Sequence, residues 1–376
     1  MQFNTHDPVE PSLARAETLL RTALAYWDAG LTPVPHVAGI EGPSYIDPHG
    51  QVVPLAWGLY KDHQPRRETV VQWFAQGDLT TLRLELLVGS CAPAKYELPA
   101  KPQILDCESA EVFAALVEDL HFSGHSNILY RCTIERTPSG GAHLGFRCQT
   151  ISDKPKVVLA RRAGAEGRPT ILIELLQHHL CTVAPTQVAW KPDRPTGATY
   201  HLTQGDWTQL RTISGEQRQI LVDTCKSLNE VPETIMEGAP SSPDSGPRPG
   251  DYLNSLADRD WWQALLIRHD WRDVTRPHHA RQGTAAFQRP GKVGQGLSAT
   301  YGKTGAYLYV FSSNAQPFEP DRGYSAFAAY ALLEHAGDFA QAARALVPAA
   351  QRTSSPFRPL ATRLSSRLAT TLRSMR

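Results

Sequence analysis

The sequence predicts a mixed α/β (α+β) protein built in two parts. Three observations carry this. Helical and strand periodicities alternate over the first half, and strand-like stretches then follow one another as a meander. One stretch dense in Pro, Gly and Ser, without periodicity, divides the 376 residues. A chain of that length can bury two cores, or three small ones. Its 41% hydrophobic and 20% charged content, with a net charge of +1, exclude a chain held open by self-repulsion. No apolar run is long enough to span a bilayer, and no membrane partner is expected. The six cysteines form no CxxC pair and no signal-peptide pattern is present, so a reducing, cytoplasmic compartment is expected.

The elements follow in chain order. "SLARAETLLRTALAYWDAG" has apolar residues at helical spacing and stops at Gly30, and "LTPVPH" reads as a short strand. A Gly- and Pro-rich loop runs to about Pro54. "RRETVVQWFAQ" predicts a second helix and "LRLELLVGS" a strand ending at Gly89. A strand then leads into "LDCES", followed by a helix over "SAEVFAALVEDL". Further strands are expected at "NILYRCTIERT", "AHLGFRC", "TILIELL" and "HLCTVAPT". Residues 229–250 read as a linker between a first unit, 1–228, and a smaller one, 251–348. The second unit shows a helix over "DYLNSLADRDWWQALLIRHDW", strands at "GLSATYG" and "AYLYVFSS", and a helix over "SAFAAYALLEHAGDFAQAARALV".

Residues 349–376 form a basic tail. No acidic residue follows Asp338, whereas Arg344, Arg352, Arg358, Arg363, Arg367, Arg373 and Arg376 do. Leu360, Leu364, Leu368 and Leu372 recur at a spacing that suits an amphipathic helix. Such a tail fits a nucleic-acid partner or a solubilising end. Arg outnumbers Lys 29 to 9; Arg suits phosphate binding, but the bias is read mainly as that of a GC-rich genome.

Three features point to chemistry. Asp106 and Glu108 lie two apart at the end of an apolar strand, so both face one side and Cys107 the other, where it is expected to pack inside. Two carboxylates forced together are held by a divalent cation such as Mg²⁺ or Mn²⁺, or simply reach solvent. The turn Ser139-Gly140-Gly141 exposes backbone N–H groups that an anion can approach, and His143 follows on a strand. Glu174 interrupts the apolar "TILIELL", where a carboxylate is costly unless paired or metal-bound. Lys61, Arg136 and Arg147 are further candidates for phosphate contacts and read equally as solvated surface charges. His178, His179 and Cys181 lack a second ligand pair at finger-like spacing, so no zinc is expected and they read as strand residues. Trp261, Trp262 and Trp271 stand at helical spacing beside Leu265 and Leu266 and are expected in a core. Gly302-Lys303-Thr304 lacks the earlier Gly of a phosphate loop, since Leu297 stands there, and a hairpin is the better account.

In this order the residues resemble the primase-polymerases of the archaeo-eukaryotic primase superfamily, often carried by plasmids and phages. Asp106-Cys107-Glu108 is similar to the family's acidic pair, and Ser139-Gly140-Gly141-Ala142-His143 to its "SGGxH" turn and strand. Glu174 before Val183-Ala184-Pro185-Thr186 is similar to the third acidic strand. "ALAYWDAGLTPVPH", "LYKDHQPRRETVVQWF" and "LLVGS" resemble the upstream portion, and the likeness covers roughly residues 16 to 205. Residues 296–346 resemble an accessory region that follows the catalytic domain in some such proteins.

The resemblance implies an RRM-like catalytic sheet joined to an N-terminal α/β unit within residues 1–228, and a small C-terminal accessory domain. It implies template-directed nucleotidyl transfer on single-stranded DNA, priming and extending with NTPs or dNTPs. Two Mg²⁺ or Mn²⁺ ions would be held by Asp106, Glu108 and Glu174, and the triphosphate by Ser139, Gly140, Gly141 and His143. A separately encoded helicase is an expected partner, since no helicase module is seen. The chain departs from the pattern at Leu176-Gln177 and His179-Leu180, where many relatives carry Arg-Gly and Gly-Gly. That departure keeps open a DNA-binding initiator or regulator that has lost catalysis, and a metal-dependent nuclease is a third reading.

Overall fold

A computed structural model of the chain describes residues 9–89, 100–164, 168–188, 198–232, 234–237, 248–276, 279, 283–294, 296–303 and 305–347. The basic tail and Cys91 lie outside the described residues. The fold is α+β, in two compact units: residues 1–160 with 171–222, and residues 161–170 with 223–376.

The first unit opens with α1 (Val9–Asp28), which buries Leu19, Ala23 and Tyr26. Gly30 adopts φ +74°, letting the Leu31 N–H return to Tyr26 O at 3.0 Å and close the helix. Strand β1 (Pro33–Val37) follows, then a small hairpin, β2 (Ser44–Ile46) and β3 (Val52–Pro54). The sequence predicts only loop there. The Asp47 side chain accepts from the His49 and Gln51 N–H groups and folds the turn between the two strands. Helix α2 (Arg67–Phe74) and strand β4 (Leu82–Leu87) complete this portion.

Next come β5 (Lys101–Cys107), α3 (Ala110–Phe122, capped by Ser109) and α4 (Ser126–Leu129). Strands β6 (Thr133–Arg136), β7 (Ala142–Cys148), β8 (Lys156–Arg162), β9 (Thr170–Leu176), β10 (Leu180–Thr182) and β11 (His201–Gln204) follow, then α5 (Gly215–Ser227). The strand predicted over residues 127–137 is shorter than expected. Its first residues form the helical turn α4, because Ile128, Leu129 and Cys132 recur at helical spacing and all three are buried.

One sheet has the order β1-β4-β10 and the other β11-β6-β7-β5-β9-β8. Since β5 and β6 both run antiparallel to β7, which lies between them, β5-α3-β6 is a split β-α-β unit. Ile104 and Leu176 on one face of the larger sheet join a core with Tyr26, Trp73, Leu84, Cys181 and Trp207. On the opposite face Leu105, Cys107, Leu144, Phe146 and Leu175 are buried, and Gln103 accepts from Arg218 of α5 at 2.9 Å. The central strands are therefore covered on both sides and read as near-continuous apolar runs.

The second unit is a sheet of order β12-β17-β16-β15-β14-β13: β12 (Ile235–Met236), β13 (Arg272–Asp273), β14 (Ala285–Gln288), β15 (Ala299–Gly302), β16 (Gly305–Val310) and β17 (Arg322–Tyr324). Ile235 and Met236, inside the stretch predicted as linker, pair with β17 and so belong to this sheet. Each long helix predicted here is two. Helices α6 (Pro249–Leu256) and α7 (Arg259–Arg268) break at Asp258, whose side chain accepts from the Trp261 N–H. Helices α8 (Ala326–Glu334) and α9 (Phe339–Leu346) break at Gly337, and Asp338 caps the second. In both cases an aspartate offers the backbone a cap that competes with continuing the helix. Trp261, Trp262 and Trp271 are buried with Leu265, Phe287 and Tyr324, as predicted.

Trp262 is fully buried and anchors that core. Trp262→Ala is expected to destabilise the second unit by about 3–5 kcal/mol. Hydrogen exchange along residues 259–268, measured before and after the substitution, checks this.

Candidate active site

Register places the acidic residues. Strand β5 lies between β7 and β9, with Asp106 directly opposite His143 on one side and Glu174 on the other. His143 in turn opposes Glu135 of β6. Directly opposed residues share a face with their Cβ atoms about 5 Å apart, so Glu135, His143, Asp106 and Glu174 form one rung across four strands. Glu108 lies just beyond β5, and its N–H donates to Leu172 O at 3.0 Å. The sheet thus brings Asp106, Glu108 and Glu174 to one end of its central strands. Cys107 is buried on the other face, where burial pushes its thiol far above the ordinary range.

The three carboxylates feel one another. Partial burial raises the Glu108 carboxyl, and the charges of Asp106 and Glu174 raise it further. Glu174 is buried; its Oε2 accepts from Lys156 Nζ at 2.7 Å, and its Oε1 is buried with no hydrogen-bond partner. A buried carboxylate oxygen left unpaired is costly, and a cation relieves it. The donor set is all oxygen, which suits Mg²⁺ or Mn²⁺. Among the described residues, no group of three His, Cys, Asp or Glu side chains is arranged to hold a metal ion as it stands. The residues fit the expected ions by chemistry and by the unpaired oxygen, with Lys156 supplying positive charge to the same carboxylate.

His143, which the resemblance places with the triphosphate-seating turn, lies on β7 beside Asp106. It is buried, with Nδ1 2.7 Å from Glu135 Oε1 and Nε2 3.5 Å from Asp106 Oδ1. Cys181 Sγ lies 3.7 Å from Nδ1, and the Tyr200 ring packs at 5.6 Å, tilted by 30°. Burial works against protonation of the imidazole, but the Asp106 and Glu135 carboxylates beside it outweigh that and hold it well above the usual histidine value. Burial likewise pushes the Cys181 thiol up to about 11, so it stays a thiol at neutral pH.

The glycine turn lies against the acidic pair. A Cβ on Gly141 would sit 2.1 Å from Cys107 O and 3.0 Å from Glu108 O, so only glycine lets the turn reach the end of β5. Gly140 has φ +88°, and its N–H is used inside the turn, donating to Thr137 O. Ser139 and Gly140 are exposed, and Ser139 Oγ pairs with Thr137 Oγ1 at 2.9 Å. Arg136 reaches the same turn, its Nη1 donating to Gly140 O at 3.3 Å.

The remaining candidates lie elsewhere. Arg147 is buried toward the other end of β7 and donates to Ala29 O, where a cation suits the end of α1. Lys61 Nζ sits over the Trp57 ring at 5.1 Å. Of the residues weighed for zinc, Cys181 is on β10 and turned inward, but His178 and His179 form a bend before it, and His179 Nδ1 is bonded at Leu180 O. Sequence reasoning missed Glu135, Lys156 and Trp207. Glu135 carried a visible signal: an acid inside the apolar-flanked "CTIERT", the same signal that singled out Glu174. Lys156 and Trp207 carried none, because their partners are distant in sequence.

No model of a known protein family matches the chain, and a search of curated proteins found no match. Among the described residues, no helix is long and apolar enough to cross a membrane.

The crowding at Glu108 has a measurable sign. A carboxyl raised in the folded state supports stability below the unfolded value, near 4, and that support is lost as pH rises through the folded value. Glu108→Gln is therefore expected to raise stability at pH 7 by roughly 0.5 kcal/mol with divalent ions chelated, and to change little at pH 3. Thermal melts with EDTA at both pH values check it.

Proposed function

We propose that the chain is a DNA primase-polymerase, transferring nucleotides to a primer 3′-hydroxyl on a single-stranded DNA template. The observation that carries this is the rung itself. Asp106 and Glu174 are direct cross-strand neighbours, Glu108 is beside them, and the Ser139-Gly140-Gly141 turn abuts the same strand end. The split β-α-β order of the larger sheet supports the RRM-like arrangement that the sequence resemblance implies. Asp106, Glu108 and Glu174 would hold two Mg²⁺ or Mn²⁺ ions. When bound, such ions lower the pKa of an attacking hydroxyl and neutralise a triphosphate and its leaving pyrophosphate.

The chain's own residues do the positioning. The turn fixes the approach to the acidic end, with Ser139 and Gly140 at its exposed tip. Lys156, whose side chain is about two-fifths exposed, offers a mobile ammonium beside Glu174 that can turn toward an incoming phosphate. His143, buried behind Asp106, acts on that carboxylate and not on solvent.

One observation favours a second reading. The Lys156–Glu174 ion pair already satisfies part of the third carboxylate, as in a DNA-binding initiator that has kept the fold without the chemistry. Primer extension separates the two. Wild-type protein with Mn²⁺ or Mg²⁺ is expected to extend a labelled primer, and Asp106→Ala/Glu108→Ala to lose about 1,000-fold, corresponding to several kcal/mol of lost metal stabilisation. Unchanged incorporation in the double variant would sink the assignment. Salt-dependent DNA binding without incorporation by the wild type would favour the initiator, and degradation of labelled DNA without nucleotides would indicate a nuclease.

A further inference from the structure

Glu135 is the most completely held carboxylate of the rung. It is fully buried, and three donors from three separate segments converge on it. Oε1 receives His143 Nδ1 at 2.7 Å, and Oε2 receives the Ala184 N–H and Trp207 Nε1–H, each at 2.9 Å. Room for Trp207 exists because residue 145 is glycine, where a Cβ would lie 2.2 Å from the indole ring. Burying a carboxylate this deeply costs several kcal/mol unless its lone pairs are used. Here both oxygens are engaged.

The arrangement determines how His143 faces its other neighbour. A carboxylate accepts only, so the imidazole must carry its hydrogen on Nδ1, and the ring plane is fixed by that bond. Tyr200 packs against the ring and Cys181 lies beside it, which limits rotation. The Nε2 edge is left pointing at Asp106 Oδ1, 3.5 Å away, within attraction but too long for an ordinary hydrogen bond.

We propose that Glu135 is a positioning residue: through His143 it sets the orientation of Asp106, so that this carboxylate presents to a divalent cation together with Glu108 and Glu174. The inference rests on the polymerase reading only for the use to which the cation is put. Buried partners of this kind, acting through a neighbour on a metal ligand, typically change metal affinity or activity by about 10–100-fold.

Glu135→Gln tests it at constant shape. The Gln carbonyl can keep the Ala184 and Trp207 donors, which turns its NH₂ toward Nδ1 and forces that nitrogen to accept. In ¹⁵N-histidine spectra the wild-type Nδ1 is expected to be protonated and the Glu135→Gln Nδ1 bare. Mn²⁺ affinity, read by EPR titration, is expected to fall about 10–100-fold. Nucleotide kcat should fall alongside it, with KM for nucleotide little changed. Glu85→Gln, at a partly buried His–Glu pair outside the rung (His36 Nδ1 to Glu85 Oε1, 3.0 Å), is the control and should leave Mn²⁺ affinity unchanged. Should Glu135→Gln not fold, Trp207→Phe removes one donor while keeping a ring, and a smaller loss of Mn²⁺ affinity is expected. An unchanged imidazole spectrum in Glu135→Gln, or Mn²⁺ affinity equal to wild type, overturns the proposal. Intact Mn²⁺ binding with no primer extension by the wild type would remove the polymerase reading and leave this one standing.

Discussion

The register of β5 between β7 and β9 is the constraint on which the site depends. Asp106 meets Glu174 because Ile104 pairs with Leu176 and Cys107 with Ile173. Side chains alternate faces along a strand, so a slip of one residue would send Asp106 into the apolar layer around Leu105 and Leu144. It would also bring Cys107 to the face that now carries the carboxylates. Burial of the large apolar set on both faces thus fixes the register, and the register fixes which charges are neighbours. The packing that stabilises the sheet and the packing that gathers the acids are one arrangement.

That gathering runs against ordinary electrostatics. Three carboxylates approach one another at one end of the sheet, and among the described residues Lys156 answers Glu174 and the imidazole of His143 answers Asp106. Glu108 has no such partner among the ion pairs described, and its carboxyl is raised by burial, Asp106 and Glu174. A site with strain of this sign has affinity for positive charge before any ligand is specified.

Much of this was legible in the sequence. The strands over 142–148 and 170–176 have the bounds their apolar runs predict, and Asp106, Glu108 and Glu174 converge as an alternating pair and an isolated acid on adjacent strands would. Edges were less legible: β11 went unseen because its residues are mostly polar, and β8 because its apolar run is only four residues long between charged ends. The helix breaks at Asp258 and Asp338 were hidden within long helical patterns, where a cap is a local choice that composition does not reveal. The burial of His143 was not legible, because Cys181 and Tyr200, which pack against its ring, are both more than 30 residues away.

The empty Cβ position at Gly145 has a consequence for how this protein can change. Trp207 occupies the space that a side chain at 145 would need, and the indole in turn supplies a hydrogen bond to Glu135. An alanine at 145 would have to be accompanied by a smaller residue at 207, and that exchange would strip Glu135 of a donor. Positions 135, 145 and 207, drawn from two strands and a helical turn, therefore form a single unit of substitution. Drift at one is blocked until the others move, so among relatives of this chain the three should vary together or stay fixed together.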